Sequence, residues 1–254
     1  MKTPHILFLL AALCLGGFIA KAQSFDDLTN RNGDNGFTDR GLQFFIRYTG
    51  VNAKYTEAYG GFTINGNLRI DRIEKGEMSY HFENPTLGDL FWMLFNLKKW
   101  NARETDQAFG SGFFGWHECY WNVVAKDRIL LSPGVSFGDY IYASTRRASE
   151  SPRTRDPAGY FFHIGPAFKT SYVINNDFWV DGILRYDIGF RAGKAGADYV
   201  EIEGYPKPHF LTLSGTLNHV PTRLFTNLRV NQLIDRGPNK DSATRFDFSF
   251  GMVF

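Results

Sequence analysis

The stretch that decides the fold is "RFDFSFGMVF", Arg245 to Phe254. Phe246, Phe248, Phe250, Met252 and Phe254 take every second position, and Arg245, Asp247, Ser249 and Gly251 lie between them. A period of two marks an extended strand, whose successive side chains leave on opposite faces. One face of this strand is apolar and largely aromatic. The other carries a cation, an anion and two small residues.

The same pattern recurs upstream. In "GGFTINGNLRID", Phe62, Ile64, Leu68 and Ile70 oppose Thr63, Asn65, Asn67, Arg69 and Asp71. In "RILLSPGVSFGDYIY", Ile129, Leu131, Pro133, Val135, Phe137 and Ile141 oppose Ser132, Gly134, Ser136 and Gly138. In "FWVDGILRYDIGF", Phe178, Val180, Leu184, Tyr186, Ile188 and Phe190 oppose Asp181, Arg185 and Asp187. Reading backward from Phe254, strands are expected at 243–254, 223–234, 207–218, 178–190, 158–172, 128–142 and 111–123, and further forward at 60–71 and 41–49. These runs exceed the 5 to 6 residues usual in soluble sheets and suit the roughly 9 to 11 residues of a tilted membrane-spanning strand.

Alternation alone leaves the direction of the apolar face open, since a soluble sandwich buries one between its sheets. Two features favour an inverted arrangement, with apolar side chains outward and polar ones inward. The polar face mixes glycine and serine with charges of both signs, which fits the crowded interior of a small barrel. The connections also alternate. Short turns at 125–127, 175–177 and 221–222 share the end of the C-terminus, and longer polar loops near 143–157, 191–206 and 235–242 share the other. The expected fold is an all-β, antiparallel, up-and-down transmembrane barrel over residues 41–254. One strand from "MSYHFENPTLGDLFWMLFNLKK" (78–99) brings the count to ten; eight and twelve stay open, as does a helix starting at Asn84-Pro85, with Leu87, Leu90, Phe91, Leu94 and Phe95 at helical spacing.

The first residues, "MKTPHILFLLAALCLGGFIAKAQ", have the charged start, short apolar run and Ala20-Lys21-Ala22 triplet of a secretory signal peptide, with cleavage expected before Gln23. The run is short for a membrane helix. Residues 23–40 read as a polar periplasmic lead-in. Removing 1–22 takes away Lys2 and Lys21, so 28 − 2 = 26 basic residues face 26 acidic ones. That balance excludes a generic nucleic-acid binder. Cys119 is the one cysteine beyond the signal, so no internal disulfide is expected.

The ending "FDFSFGMVF" resembles the terminal signal of bacterial outer-membrane β-barrels, a last strand with outward apolar residues and a final phenylalanine that the barrel insertion machinery reads. Phe250, Met252 and Phe254 stand at the positions concerned, with methionine where an aromatic is common. The signal peptide ending before glutamine and the aromatic-rich strands resemble small barrels of Bacteroidota-type envelopes, some of them accessory subunits of export or assembly machines. The resemblance implies a Gram-negative outer membrane with both termini periplasmic, and as partners membrane lipid, lipopolysaccharide, the insertion machinery and other envelope proteins.

Parity turns Arg47, Arg69, Asp71, Glu118, His163, Lys169, Asp181, Arg185, Asp187, Arg229, Arg245 and Asp247 inward, with Phe45, Phe161, Trp179 and Phe225. Unpaired buried charges are costly, so a lumen charge network is expected, carried by Arg69, Asp71, Lys169, Asp181, Arg185, Arg229 and Asp247. The hairpin about Asn176, in a register in which paired positions sum to 350, sets Lys169 opposite Asp181 and His163 opposite Asp187. The second pair is the candidate catalytic dyad of a rim hydrolase, a protease or lipid A modifying enzyme; the simpler reading of both pairs is a charge contact between strands. No serine stands at a family-like spacing from His163, and no enzymatic activity is expected. His81, His117, His163, His209 and His219 are scattered, and neither metal nor cofactor is expected. Arg146, Arg147, Arg153 and Arg155 share one external loop and are candidates for contact with lipopolysaccharide phosphates or another anion. The expectation is a narrow or plugged barrel acting as a structural or accessory partner-binding protein. Its rivals are a small diffusion channel, the rim hydrolase and a secreted, glycan-binding β-sandwich.

Overall fold

The computed structural model describes residues 41–53, 59–84, 109–110, 114–143, 158–175, 177–195, 208–234 and 242–254. They form β1 (Gly41–Ala53), β2 (Tyr59–Ile70), β3 (Met78–Glu83), β4 (Phe109–Gly110), β5 (Trp116–Trp121), β6 (Val124–Lys126), β7 (Ile129–Ala143), β8 (Ala158–Val173), β9 (Phe178–Ala195), β10 (His209–His219), β11 (Leu224–Ile234) and β12 (Ser242–Val253). Every pairing is antiparallel, and β7 joins β8, which closes the sheet on itself. Because β4, β5 and β6 all lie along β7, they make one wall, and the barrel has 12 − 2 = 10 strands. Closure removes the open edges that hydrocarbon cannot satisfy.

The tenth strand is β3, from the front of the 78–99 segment; the helix weighed there lies, beyond Asn84, outside the described residues. The wall expected as one strand at 111–123 is interrupted at 114–115 and 122–123. Asp139 explains the first break, because its carboxylate accepts the backbone N–H groups of Phe114 (2.7 Å) and Gly115 (2.9 Å). Asn122 explains the second, since its amide donates to the carbonyls of Arg72 (2.8 Å) and Glu74 (3.1 Å) in the neighbouring turn.

Short connections at 127–128, between β8 and β9, and at 220–223 share one end with the β2–β3 connection and Phe254. Asp127 (φ 42°) and Arg223 (φ 56°) take the left-handed backbone that such turns use. Connections at the opposite end, here called the mouth, lie wholly or largely outside the described residues. The strands β7, β8 and β9, at 15, 16 and 18 residues, are the tallest part of the wall.

The burial pattern is that of a water-soluble protein turned inside out. Outward Leu42, Phe44 and Ile46 on β1, Leu213 on β10, and Phe246, Phe248 and Phe250 on β12 are exposed, while Arg47, Arg185, Arg245, Asp181 and Asp247 are at most 1% exposed. Ten or so residues at about 3.3 Å each, tilted by roughly 40°, span about 25 Å, the height of the apolar band of a membrane barrel.

The β8–β9 register differs from the expected one. From His163 to Val173, Lys169 lies across from Ile183 and Ser171 from Asp181, so paired positions sum to 352, and a bulge between Phe162 and His163 makes the sum 353 nearer the mouth. The hairpin position is as expected, since a turn about position 176 gives a sum of 352 and not 350, and Asn175 Oδ1 accepts the N–H groups of Asp177 and Phe178, both at 2.9 Å, at this turn. A shift of two keeps every side chain on its face. The inward set therefore survives, and the partners change.

Candidate functional site

The lumen holds the chemistry, and it is stratified from the turn end upward. At the turn end Leu130, Val173, Trp179 and Val220 pack into an apolar layer, joined by Ile73 and Ala125. Each comes from a strand end or a turn, so the layer covers the floor on the side of β6 to β10 and leaves the side of β1 and β12 to other groups.

Above it lies a first ionic layer. Arg69 binds Asp71 on its own strand end and Asp181 at 2.5 Å. In the strand order β2 and β9 stand five places apart in a ring of ten, so Arg69 crosses the whole lumen. Lys169 crosses from β8 to the same Asp71, and His81 Nε2 approaches that carboxylate at 2.9 Å. Asp181 also accepts from Ser171 (2.5 Å) and Asn218 (3.0 Å). Lys169 and Asp181, expected to pair, thus hold separate partners because of the shifted register.

A second layer centres on Arg185, which donates to Glu118 (2.6 Å), Tyr140 (2.6 Å) and Thr212 (3.3 Å), with Asp187 at 3.4 Å. Tyr120 donates to the other Glu118 oxygen at 2.8 Å. Beside it Glu83 receives Arg47 at 2.5 Å and Arg229 at 2.7 Å, and Asp247 receives Arg245 at 2.9 Å and the Thr49 hydroxyl at 2.7 Å. Trp116 ties these groups together. Its ring faces the guanidinium carbons of Arg229, Arg185 and Arg245 at 5.4, 5.8 and 5.7 Å, and its indole N–H donates to the Asp139 carbonyl at 3.0 Å. Low polarity strengthens such cation–π contacts.

Inward glycines let side chains on flanking strands meet. Gly251 pairs with Phe45 on one side and Phe225 on the other, and the two rings touch across it at 5.8 Å. Gly165 does the same for Ser136, whose hydroxyl donates to Asp187.

His163 and Asp187 do come together, Nδ1 to Oδ1 at 3.3 Å, along a diagonal rather than across the ladder, where His163 faces Gly189. Both are at most 1% exposed, and Tyr140 covers the imidazole at 4.6 Å. Asp187 stands between Ser136 and His163, so the imidazole is not positioned on the serine hydroxyl as a nucleophile's base would be. Phe250, Met252 and Phe254 point outward, and Phe254 meets Phe44 edge-on at 5.7 Å. Arg146, Arg147, Arg153 and Arg155 lie outside the described residues.

Outward histidines are each satisfied locally. His117 stacks on Phe137 at 4.8 Å and meets the Tyr80 hydroxyl at 2.7 Å, and His209 meets that of Tyr186. No group of three or more metal-ligating side chains occurs among the described residues.

Sequence reading passed over Glu83, Trp116, Tyr140 and Asp139. Glu83 was legible once β3 was placed, since it shares parity with His81. Trp116 and Tyr140 share parity with inward neighbours, but an aromatic in a membrane strand is expected to face lipid. Asp139 had no signal, because its parity points outward and only the break in the facing wall turns it to backbone amides.

No protein-family model matches the sequence, and no curated protein matches it. Among solved structures it is similar to Ail, the attachment invasion locus protein of Yersinia pestis, in complex with the heparin analogue sucrose octasulfate. That match has 10% identity and a TM-score of 0.36, over 85% of this chain and 97% of that one. It is similar also to the outer membrane protease OmpT of Escherichia coli, with 12% identity and a TM-score of 0.35, over 85% of this chain and 94% of that one. Likeness of this degree transfers no site residue and no activity.

Proposed function

We propose that this chain is an integral outer-membrane β-barrel of a Gram-negative, Bacteroidota-type envelope, with both termini periplasmic and a lumen closed to solutes. It acts as a non-enzymatic structural or accessory subunit that meets partners through its loops and periplasmic face. The observation that carries this reading is the filled lumen inside an apolar exterior: crossed ion pairs rest on an apolar floor. A conduit would keep a continuous polar gap, and a rim enzyme would keep its acid and base in reach of substrate; the His163–Asp187 contact is sealed. Phe250, Met252 and Phe254 serve as the insertion signal, and Arg146, Arg147, Arg153 and Arg155 supply contacts to lipopolysaccharide phosphates at the mouth.

The test is fractionation with a pull-down. The protein is expected in the outer-membrane fraction, with heat-modifiable gel mobility and a stoichiometric envelope partner. Recovery as a soluble species without detergent would return the secreted sandwich, and absence of any stable partner would remove the accessory role.

A further inference from the structure

Two cavities lie one above the other inside the barrel and share a wall. The lower, about 10 Å³, sits at the turn end against Gly41, Val253 and Trp179. The upper, about 50 Å³, sits at mid-height against Arg47, Asn67 and Ser214. Gln43 and Arg69 line both. A water needs roughly 10 to 15 Å³ of such space and two to four polar partners, so the lower space suits about one water and the upper a few. The upper wall offers both kinds of partner: among the described residues Arg47 Nη1 and Asn67 Oδ1 are buried without a hydrogen-bond partner, one a donor and one an acceptor.

Arg69 stands between the two spaces with its guanidinium stretched from β2 to Asp181 on β9. We propose that Arg69 is a gate, a crossbar that shuts a hydrated mid-lumen chamber from the turn end and whose release joins the two cavities into one pocket for water and small polar solutes. The default is shut. Its two anchors are themselves held, Asp71 by Lys169 and His81, and Asp181 by Ser171 and Asn218. Neither carboxylate is free to follow the arginine away. This inference rests on the closed-lumen reading above, and its test separates the two.

Ser214, 5% exposed, lines only the chamber above the gate. In a Cys119→Ser background, Ser214→Cys is exposed to methyl methanethiosulfonate in the folded barrel, and modification is followed by mass. With Arg69 present, labelling is expected to be slow; with Arg69→Ala, at least tenfold faster; with Lys126→Ala, an exposed β6 residue that lines neither cavity, unchanged. Heat-modifiable mobility reports that each variant is folded, and Arg69→Ala with Asp181→Asn serves if the single change does not fold. Slow labelling in both the parent and the Arg69 variants overturns the gate and leaves the closed lumen standing. Fast labelling in the parent overturns both.

Discussion

At the scale of the residue, the same side chain has opposite worth in the two environments this chain could occupy. Leu213 is 53% exposed at the middle of β10. In water, Leu213→Arg would be near neutral; at the midplane of a bilayer it costs roughly 2 to 4 kcal/mol. The loss is expected, read from unfolding in lipid vesicles, and a neutral substitution there would contradict a lipid-facing exterior. The lumen gives a second case. Lys169 and Asp71 are bonded, whereas Lys169 and Asp181 hold different partners. Removing Lys169 leaves Asp71 short of one of its cations, at about 3 kcal/mol or more if water stays out. A double-mutant cycle on Lys169 and Asp71 is expected to show clear coupling, and one on Lys169 and Asp181 much less. Strong coupling of Lys169 to Asp181 with little to Asp71 would mean that the hairpin takes the register summing to 350 after all.

At the scale of the element, parity was legible and pairing was not. Every charged position assigned to the lumen from alternation turns inward, most of them buried and Arg69 and Arg229 partly so, because a strand's period of two survives any even shift. The β8–β9 pairing depends on the exact centre of its turn, where Asn175 accepts from Asp177 and Phe178, and a turn's hydrogen bonds are not written in the hydrophobic pattern. The interrupted wall at β4, β5 and β6 was hidden for the same reason. It depends on Asp139 and Asn122 reaching backbone groups remote in sequence. Gly251 shows how an element's small residue serves its neighbours. A Cβ there would collide with the Phe44 carbonyl and the Phe45 backbone, and would part the Phe45 and Phe225 rings. Gly251→Ala is expected to cost about 1 to 3 kcal/mol as an overpacked site, measured by urea unfolding in lipid. An unchanged midpoint would show that β1 and β12 give way easily at the barrel's closing seam.

At the scale of the whole molecule, ten strands enclose an interior little wider than that of an eight-stranded barrel, whose side chains fill it. Strand number and inward charges could be read from the chain, and together they implied a plug. The apolar floor could not, since Leu130, Val173, Trp179 and Val220 come from different strand ends and turns and meet only after closure. The proposal that this floor and the crossed ion pairs above it support is that the barrel spans a membrane without conducting. Planar-bilayer recording of the refolded protein tests it most directly. The expected record is quiet, with at most brief, small openings at moderate voltage; stable, large, stepwise channels at every insertion would contradict it.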